Sequence, residues 1–366
     1  MMNKNSDFLL IIGTMPEMAP YVSSYTDILD DNGKRYDIVC WNRFSDELNN
    51  LPGNYHIYER HADIKLPYWR KIIELYGFFC FVKSKIKKGN YKYIIVFTIT
   101  ESIFLQKYLE KRFKHRYIYD IRDFSPIMKF SYFKNKNEKM IANSLYTVIS
   151  SPGFLKWLPV PKPYNIIIGH NTTSKQLSSR PVQNNFRYKT YKTEKIQILT
   201  IGSLRDYEAN AFLIAQFKNR DIFNIVFAGT GIAENDLKEY AHSINANNVF
   251  FEGRYQKKDE QNIVSKCQMI NIYLNHDINS DTLLSNRFYL ALLFKKPMIV
   301  RKDTYQAQLV ERYDLGAVVD EKDEISEKVI KFWHDFDETK FNKGCENLLK
   351  TIEHDMNVFK DKLLDL

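Results

Sequence analysis

The segment Gln197–Arg205, QILTIGSLR, joins an apolar run to a glycine, a serine and an arginine. Two later segments repeat that form: Asn224–Gly231 reads NIVFAGTG, and Asn248–Tyr255 reads NVFFEGRY. Runs that are apolar at successive rather than alternate positions are expected of strands covered on both faces in a parallel sheet. Similar runs predict strands at Met269–Leu274, Pro297–Val300 and Ala317–Val319, and earlier at Phe8–Thr14, Tyr36–Trp41, Tyr91–Thr98, Tyr117–Ile121, Leu145–Ser150 and Asn165–Ile168. Between them, Glu101–Phe113, Ala209–Phe217 and Asn286–Phe294 suit helices. Such alternation implies an α/β fold of doubly wound, Rossmann-like parallel sheets.

A chain of 366 residues has room for two such domains. Residues 172–195 are polar, carry one Pro and show no apolar period, so they read as a linker between residues 1–171 and 196–335. Residues 336–366 read as a closing helix, with Phe341, Cys345, Leu348, Leu349, Ile352, Met356 and Phe359 at helical spacing. The four cysteines stand far apart without a CxxC pair, which argues against a disulfide scaffold or a structural zinc and for a reducing, cytoplasmic setting. No window resembles a signal peptide or a membrane span.

The formal charge is +9, and its excess is concentrated: Lys65–Arg116 holds 13 Lys and Arg against three Glu. Within it, LPYWRKIIELYGFFCFVKSKIKK interleaves Trp69, Ile72, Ile73, Tyr76, Phe79 and Phe81 with Arg70, Lys71, Lys83, Lys85, Lys87 and Lys88. An aromatic, basic amphipathic helix suits an anionic membrane surface; packing of its apolar side on the sheet is the other reading. Composition alone leaves nucleic acid, anionic lipid and anionic substrates open as partners.

Open α/β sheets bind ligands at the carboxyl ends of their strands, so the residues after each run carry the chemistry. After the first come Gly202, Ser203 and Arg205, a close backbone approach and a guanidinium fork for a phosphate. Gly229 and Gly231 form a turn leading into a helix. Gly253, Arg254 and Tyr255 add a cation and a ring able to stack on a base. A long polar loop, NHDINSDTLLSNR, then leads through Asp281, Ser285, Asn286 and Arg287 into an apolar helix.

This order, closing with SNRFYLALLFKKPMIV and LGAVVD, resembles the C-terminal domain of GT-B glycosyltransferases, most of all the family 4 type of bacterial capsular and exopolysaccharide biosynthesis. Asn286 and Arg287 match the family's Asn-Lys, and Lys296-Pro297 its Lys-Pro. In the first half, Asp120, Arg122 and Asp123 resemble its D-x-R-D strand end, Thr147–Ser151 its V-x-x-S segment, and His170-Asn171 its H/P-N. The resemblance implies two Rossmann-like domains facing a cleft, an N-terminal acceptor half and a C-terminal nucleotide-sugar half, with transfer from a UDP- or GDP-linked sugar to a glycan acceptor, expected to be lipid-linked at the inner face of the cytoplasmic membrane. Arg205 and Arg287 are then expected to meet the departing diphosphate, assisted by Ser203 and Ser285. Asp120, Asp123 or Glu17 is expected to act as base, and Arg122, Asp123 and His170 to contact the acceptor. The resemblance implies no nucleic-acid partner and no cofactor, and with two arginines available no metal is expected.

The sequence departs from the family at one point: Leu290 and Thr282 stand where it carries two acidic residues, the first of which binds the ribose. Asp277 and Asp281 are near enough to substitute in part. The departure leaves open a degenerate, non-catalytic partner subunit. A nucleotide-sugar epimerase of the same architecture is a further alternative, although its acid/base groups are not recognisable.

Overall fold

The computed structural model describes residues 6–43, 54–60, 67–159, 165–178 and 195–366. The chain divides into two units, residues Met1–Thr173 with Asp355–Leu366, and Ser174–His354. Most of the expected linker lies outside the described residues; within it Ser174–Ser178 forms a short helix.

Unit 1 holds β1 (Phe8–Ile11), β2 (Tyr36–Asn42), β3 (Tyr55–Glu59), β4 (Tyr93–Phe97), β5 (Tyr117–Ile121), β6 (Tyr146–Ile149) and β7 (Ile166–Ile168). They form one sheet in the order β3-β2-β1-β4-β5-β6-β7, every pairing parallel. Unit 2 holds β8 (Ile196–Ile201), β9 (Phe223–Ala228), β10 (Val249–Gly253), β11 (Met269–Ile272), β12 (Met298–Arg301) and β13 (Gly316–Val319), in the order β10-β9-β8-β11-β12-β13, also all parallel. The predicted strands are all present, with ends shifted by a few residues. One strand is additional: β3, YHIYE, an edge strand of half-buried polar and aromatic residues that lacks the apolar run of its neighbours. The helix expected over Glu101–Phe113 is two, Ile99–Ser102 and Gln106–Phe113.

Central strands are buried on both faces, as Phe8, Leu9, Leu10 and Ile11 illustrate. On one side of the unit 1 sheet, Leu10, Ile12, Ile38 and Phe97 pack with Tyr25 and Leu29 of the helix Ser23–Asp31 and with Phe359 and Leu363 of the long helix Glu338–Leu364. Tyr25 and Phe359 meet edge to face at 4.8 Å between centroids. The helix Tyr68–Gly89 docks through Phe78, Val82 and Ile86, spaced at i, i+4 and i+8, with Phe78 stacked on Trp41 at 5.2 Å. Burying such side chains stabilises the helix by roughly 1.5–3 kcal/mol each. Asn90, left-handed at φ 46, ends it. Ile72, Ile73 and Tyr76 on another face are exposed. Lys65 and the side chains of Trp69 and Lys71 lie outside the described residues. No described helix is long and apolar enough to cross a membrane.

Candidate functional site

In unit 2 the strand order reverses between β8 and β11, the place where doubly wound sheets open a ligand crevice. Arg287 reaches that point from the first turn of the helix Asn286–Leu293. Ser285 caps this helix, its Oγ accepting from the Phe288 amide at 3.2 Å while donating to Gln306 Oε1 at 2.8 Å. The Arg287 guanidinium is pinned to the end of β8: Nε donates to the Ile201 carbonyl at 2.7 Å and Nη2 to the Ser203 carbonyl at 3.0 Å. Its Nη1 is buried without a hydrogen-bond partner. Burial pulls the Arg287 pKa down to about 10, with Asp206 opposing and Arg205 adding to the drop, so the group is charged at neutral pH and lacks a counter-ion equal to its burial. Arg205 is exposed on the same loop, and Tyr255 is half-buried with its phenol pushed up by burial and by Glu260. This set is a cationic corner suited to an anionic ligand.

The glycines of the strand ends divide into two kinds. Gly202 (φ +97) and Gly253 (φ +72) have open space where a Cβ would stand, leaving their main chain approachable. Gly229 and Gly231 do not: a Cβ would lie 1.9 Å from the Gly202 carbonyl oxygen and 2.2 Å from that of Leu204. Close packing of adjacent loops therefore accounts for the GTG turn, which was expected to face the donor. Ser203, Arg254 and Asn286 are exposed near these loops.

Asp281 is engaged elsewhere than expected. It pairs with Arg301, a residue only 4% exposed at the end of β12, which also donates to the Leu274 carbonyl at 3.0 Å and meets His276 Nδ1 at 2.9 Å. This network fastens the loop after β11 and engages one oxygen of Asp281, whose side chain stays 39% exposed. Thr282 is buried, its hydroxyl donating to the Ile278 carbonyl at 2.6 Å. Arg301 escaped sequence reading, although a charged residue closing the apolar run MIVR was a visible signal. Asn275 was missed too: it accepts from the Ala209 amide at 2.9 Å and donates to Glu208 at 3.0 Å.

In unit 1, Asp120 and Arg122 are both buried and face each other across two contacts of 2.5 Å, and Tyr25 donates to the same carboxylate at 2.5 Å. Burial disfavours the Arg122 cation, but the Asp120 carboxylate outweighs it and holds Arg122 above its ordinary value. Arg122 also donates to the Gly169 carbonyl at 2.9 Å and Asn171 Oδ1 at 3.1 Å. A fully buried carboxylate with three donors has no access to an acceptor hydroxyl, so Asp120 is a structural anchor for the strand ends, not the expected base. His170 is 5% exposed and its Nε2 lies 3.1 Å from Asp355 of the long C-terminal helix. That contact ties the end of β7 to the helix and takes His170 out of the expected acceptor contacts. Asp123 and Glu17 are exposed. Among the described residues no group of three or more His, Cys, Asp or Glu is arranged to hold a metal ion.

Two parallel sheets with these orders, covered by helices, have the GT-B fold. Sucrose-phosphate synthase from Thermosynechococcus elongatus is similar with a TM-score of 0.72 at 13% identity, covering 98% of both chains. WaaG, a glycosyltransferase involved in lipopolysaccharide biosynthesis, is similar at 0.65 and 10% identity, and HepE of Anabaena, in complex with UDP and glucose, at 0.66 and 13%; each again covers 98% of both chains. No family model and no curated protein matches the sequence.

Proposed function

We propose that the protein is a glycosyltransferase that moves a sugar from a nucleoside-diphosphate sugar to a glycan acceptor, lipid-linked and part of polysaccharide assembly. The observation that carries this is Arg287, charged, pinned to two carbonyls at the β8 end and left with a buried, unpartnered Nη1. A diphosphate oxygen supplies both the missing acceptor and the missing counter-charge. HepE, which shares the fold, is known in complex with UDP-glucose, and that supports a nucleotide-sugar donor here.

In the reaction the bond from sugar C1 to the diphosphate oxygen breaks, a bond from the acceptor oxygen to C1 forms, and the acceptor hydroxyl passes its proton to a carboxylate, Asp123 or Glu17, the two expected bases that stay exposed. Negative charge grows on the leaving diphosphate, and fixed cations aimed at it are the largest expected source of rate. Arg287 and Arg205 take that role, with the open main chain of Gly202 and Gly253 beside them and Tyr255 available to the base. The two guanidinium groups let the reaction proceed without a divalent ion, so EDTA is expected to leave turnover unchanged. The exposed Ile72, Ile73 and Tyr76, next to the lysines of the same helix, suit binding to the anionic cytoplasmic face of a membrane.

Leu290 and Thr282, in place of two carboxylates, favour one second reading: a nucleotide-binding subunit without turnover. A thermal-shift screen against UDP, GDP and CMP, followed by release of the nucleotide from the matching sugar donor with a panel of simple and lipid-linked glycosides as acceptors, separates the two. Stabilisation with release supports the transferase, stabilisation without release the silent subunit, and inversion of a sugar carbon with the nucleotide retained an epimerase. No stabilisation by any nucleotide overturns the proposal.

A further inference from the structure

In unit 1 the strand order reverses between β1 and β4, and that reversal is again where a ligand crevice is expected. Glu101, to which the sequence drew no attention, sits there. Its carboxylate receives Nη2 of Arg43, from the end of β2, at 2.8 Å, and the hydroxyl of Thr98, from the end of β4. Its side chain lies against the main chain that follows β1, since a Cβ on Gly13 would stand 2.2 Å from Glu101 Cγ. Three strand ends thus converge on one carboxylate.

Two features go beyond what an ion pair needs. Thr98, a β-branched residue, adopts φ 62 and ψ 154, held by its amide donating to the Asp120 carbonyl at 2.8 Å and by its hydroxyl on Glu101. Strain of this kind persists where surrounding structure over-determines it, and it gathers at ligand sites. In addition, Arg43 Nε is buried without a partner while the guanidinium lies over the Trp41 ring at 4.0 Å. The side chains of Arg43 and Glu101 remain 23% and 14% exposed. An unused guanidinium donor beside a carboxylate with spare lone pairs matches a vicinal diol, one hydroxyl donating to the carboxylate and the other accepting from the guanidinium.

We propose that Glu101 and Arg43 form a hydroxyl-binding subsite for a sugar diol, and, on the glycosyltransferase reading of this protein, that the diol belongs to the acceptor. The subsite binds and orients the acceptor without taking its proton, so its loss raises the acceptor KM and leaves kcat largely in place.

The test uses the full chain with methyl β-D-glucopyranoside and methyl β-D-galactopyranoside as probes, read by saturation-transfer NMR and titration, with the UDP thermal shift measured in parallel. Wild-type protein is expected to bind at least one glycoside, and Glu101→Gln to weaken that binding by about tenfold or more with the UDP shift unchanged. Equal binding by Glu101→Gln, or no binding by the wild type, overturns the subsite. Should Glu101→Gln fail to fold, Arg43→Lys keeps the charge, removes Nε and is expected to show the same loss. Glycoside binding that is lost in the variant, in a protein that none of UDP, GDP and CMP stabilises, removes the glycosyltransferase reading and keeps the subsite.

Discussion

Arg287 donates through Nε to the carbonyl oxygen of Ile201 at 2.7 Å, so the cation at the reversal point of unit 2 is oriented by the last residue of β8. Replacing it by Met removes the charge but leaves the Ile201 and Ser203 carbonyls without this donor, at a cost of about 1–3 kcal/mol. Arg287→Met is therefore expected to fold with a modestly lowered melting temperature and to lose the shift that UDP or GDP induces. Turnover should fall by about 10²–10³, the usual effect of deleting one donor to a developing oxyanion. A retained shift, measured by calorimetry against UDP, removes Arg287 from the donor site.

The buried pair in unit 1 gives the opposite outcome. Asp120→Asn leaves Arg122 charged, 3% exposed and without its carboxylate. Breaking a buried pair from one side costs about 3–5 kcal/mol, so chemical denaturation should show a large loss of stability. Tyr25→Phe removes one hydrogen bond to the same carboxylate and should cost less, about 1–3 kcal/mol. A small effect of Asp120→Asn combined with lost turnover would restore Asp120 as a catalytic group.

Gly229→Ala tests the packing of the unit 2 loops. A methyl group 1.9 Å from the Gly202 carbonyl cannot be accommodated unless the β8 loop moves, and φ is +138 at this position. The variant should be destabilised by a few kcal/mol, within the range of backbone clashes at special φ values, and should bind UDP more weakly because Gly202 and Ser203 are displaced. Gly253→Ala, with φ +72 but open space around it, should bear only the backbone strain. Equal melting temperatures for the two variants would contradict this distinction.

The sheets were legible because parallel strands buried on both faces write their burial as uninterrupted apolar runs. FLLI and IIVF needed no other information. β3 was not legible, because an edge strand such as YHIYE is half-buried and keeps its polar residues. At the sites the sequence pointed to the right loops but not to the side chains already spoken for. Asp281 reads as a carboxylate without a partner until Arg301, 20 residues later, is found against it, and Asp120 reads as a base until Tyr25, from a different element, is found on it. Glu101 was hidden for the converse reason: it lay in a stretch that reads only as helix, and its partner Arg43 comes from the end of β2, 58 residues earlier. Pairings over such separations depend on topology, which local pattern does not contain.

The helix Tyr68–Gly89 makes the membrane proposal measurable through one thiol. Burial pushes the Cys40, Cys267 and Cys345 thiols up to about 12, so at pH 8 each is almost wholly protonated and inaccessible. Cys80 is exposed, and it follows Ile72, Ile73 and Tyr76 along one helical stripe that continues to Lys83 and Lys87. A polarity-sensitive maleimide dye at pH 8 should therefore react with a single cysteine in the native protein and with all four only after unfolding. On the labelled protein, vesicles containing anionic lipid should shift the emission to the blue as the stripe enters the interface, whereas zwitterionic vesicles should not. Each engaged lysine contributes roughly 1 kcal/mol at low salt, so raising the ionic strength should reverse the shift. Replacing Ile72 and Ile73 by Asp should abolish it while sparing Phe78, Val82 and Ile86, which hold the helix to the sheet. A dye signal indifferent to lipid charge would mean that the basic segment is simply a solvated surface.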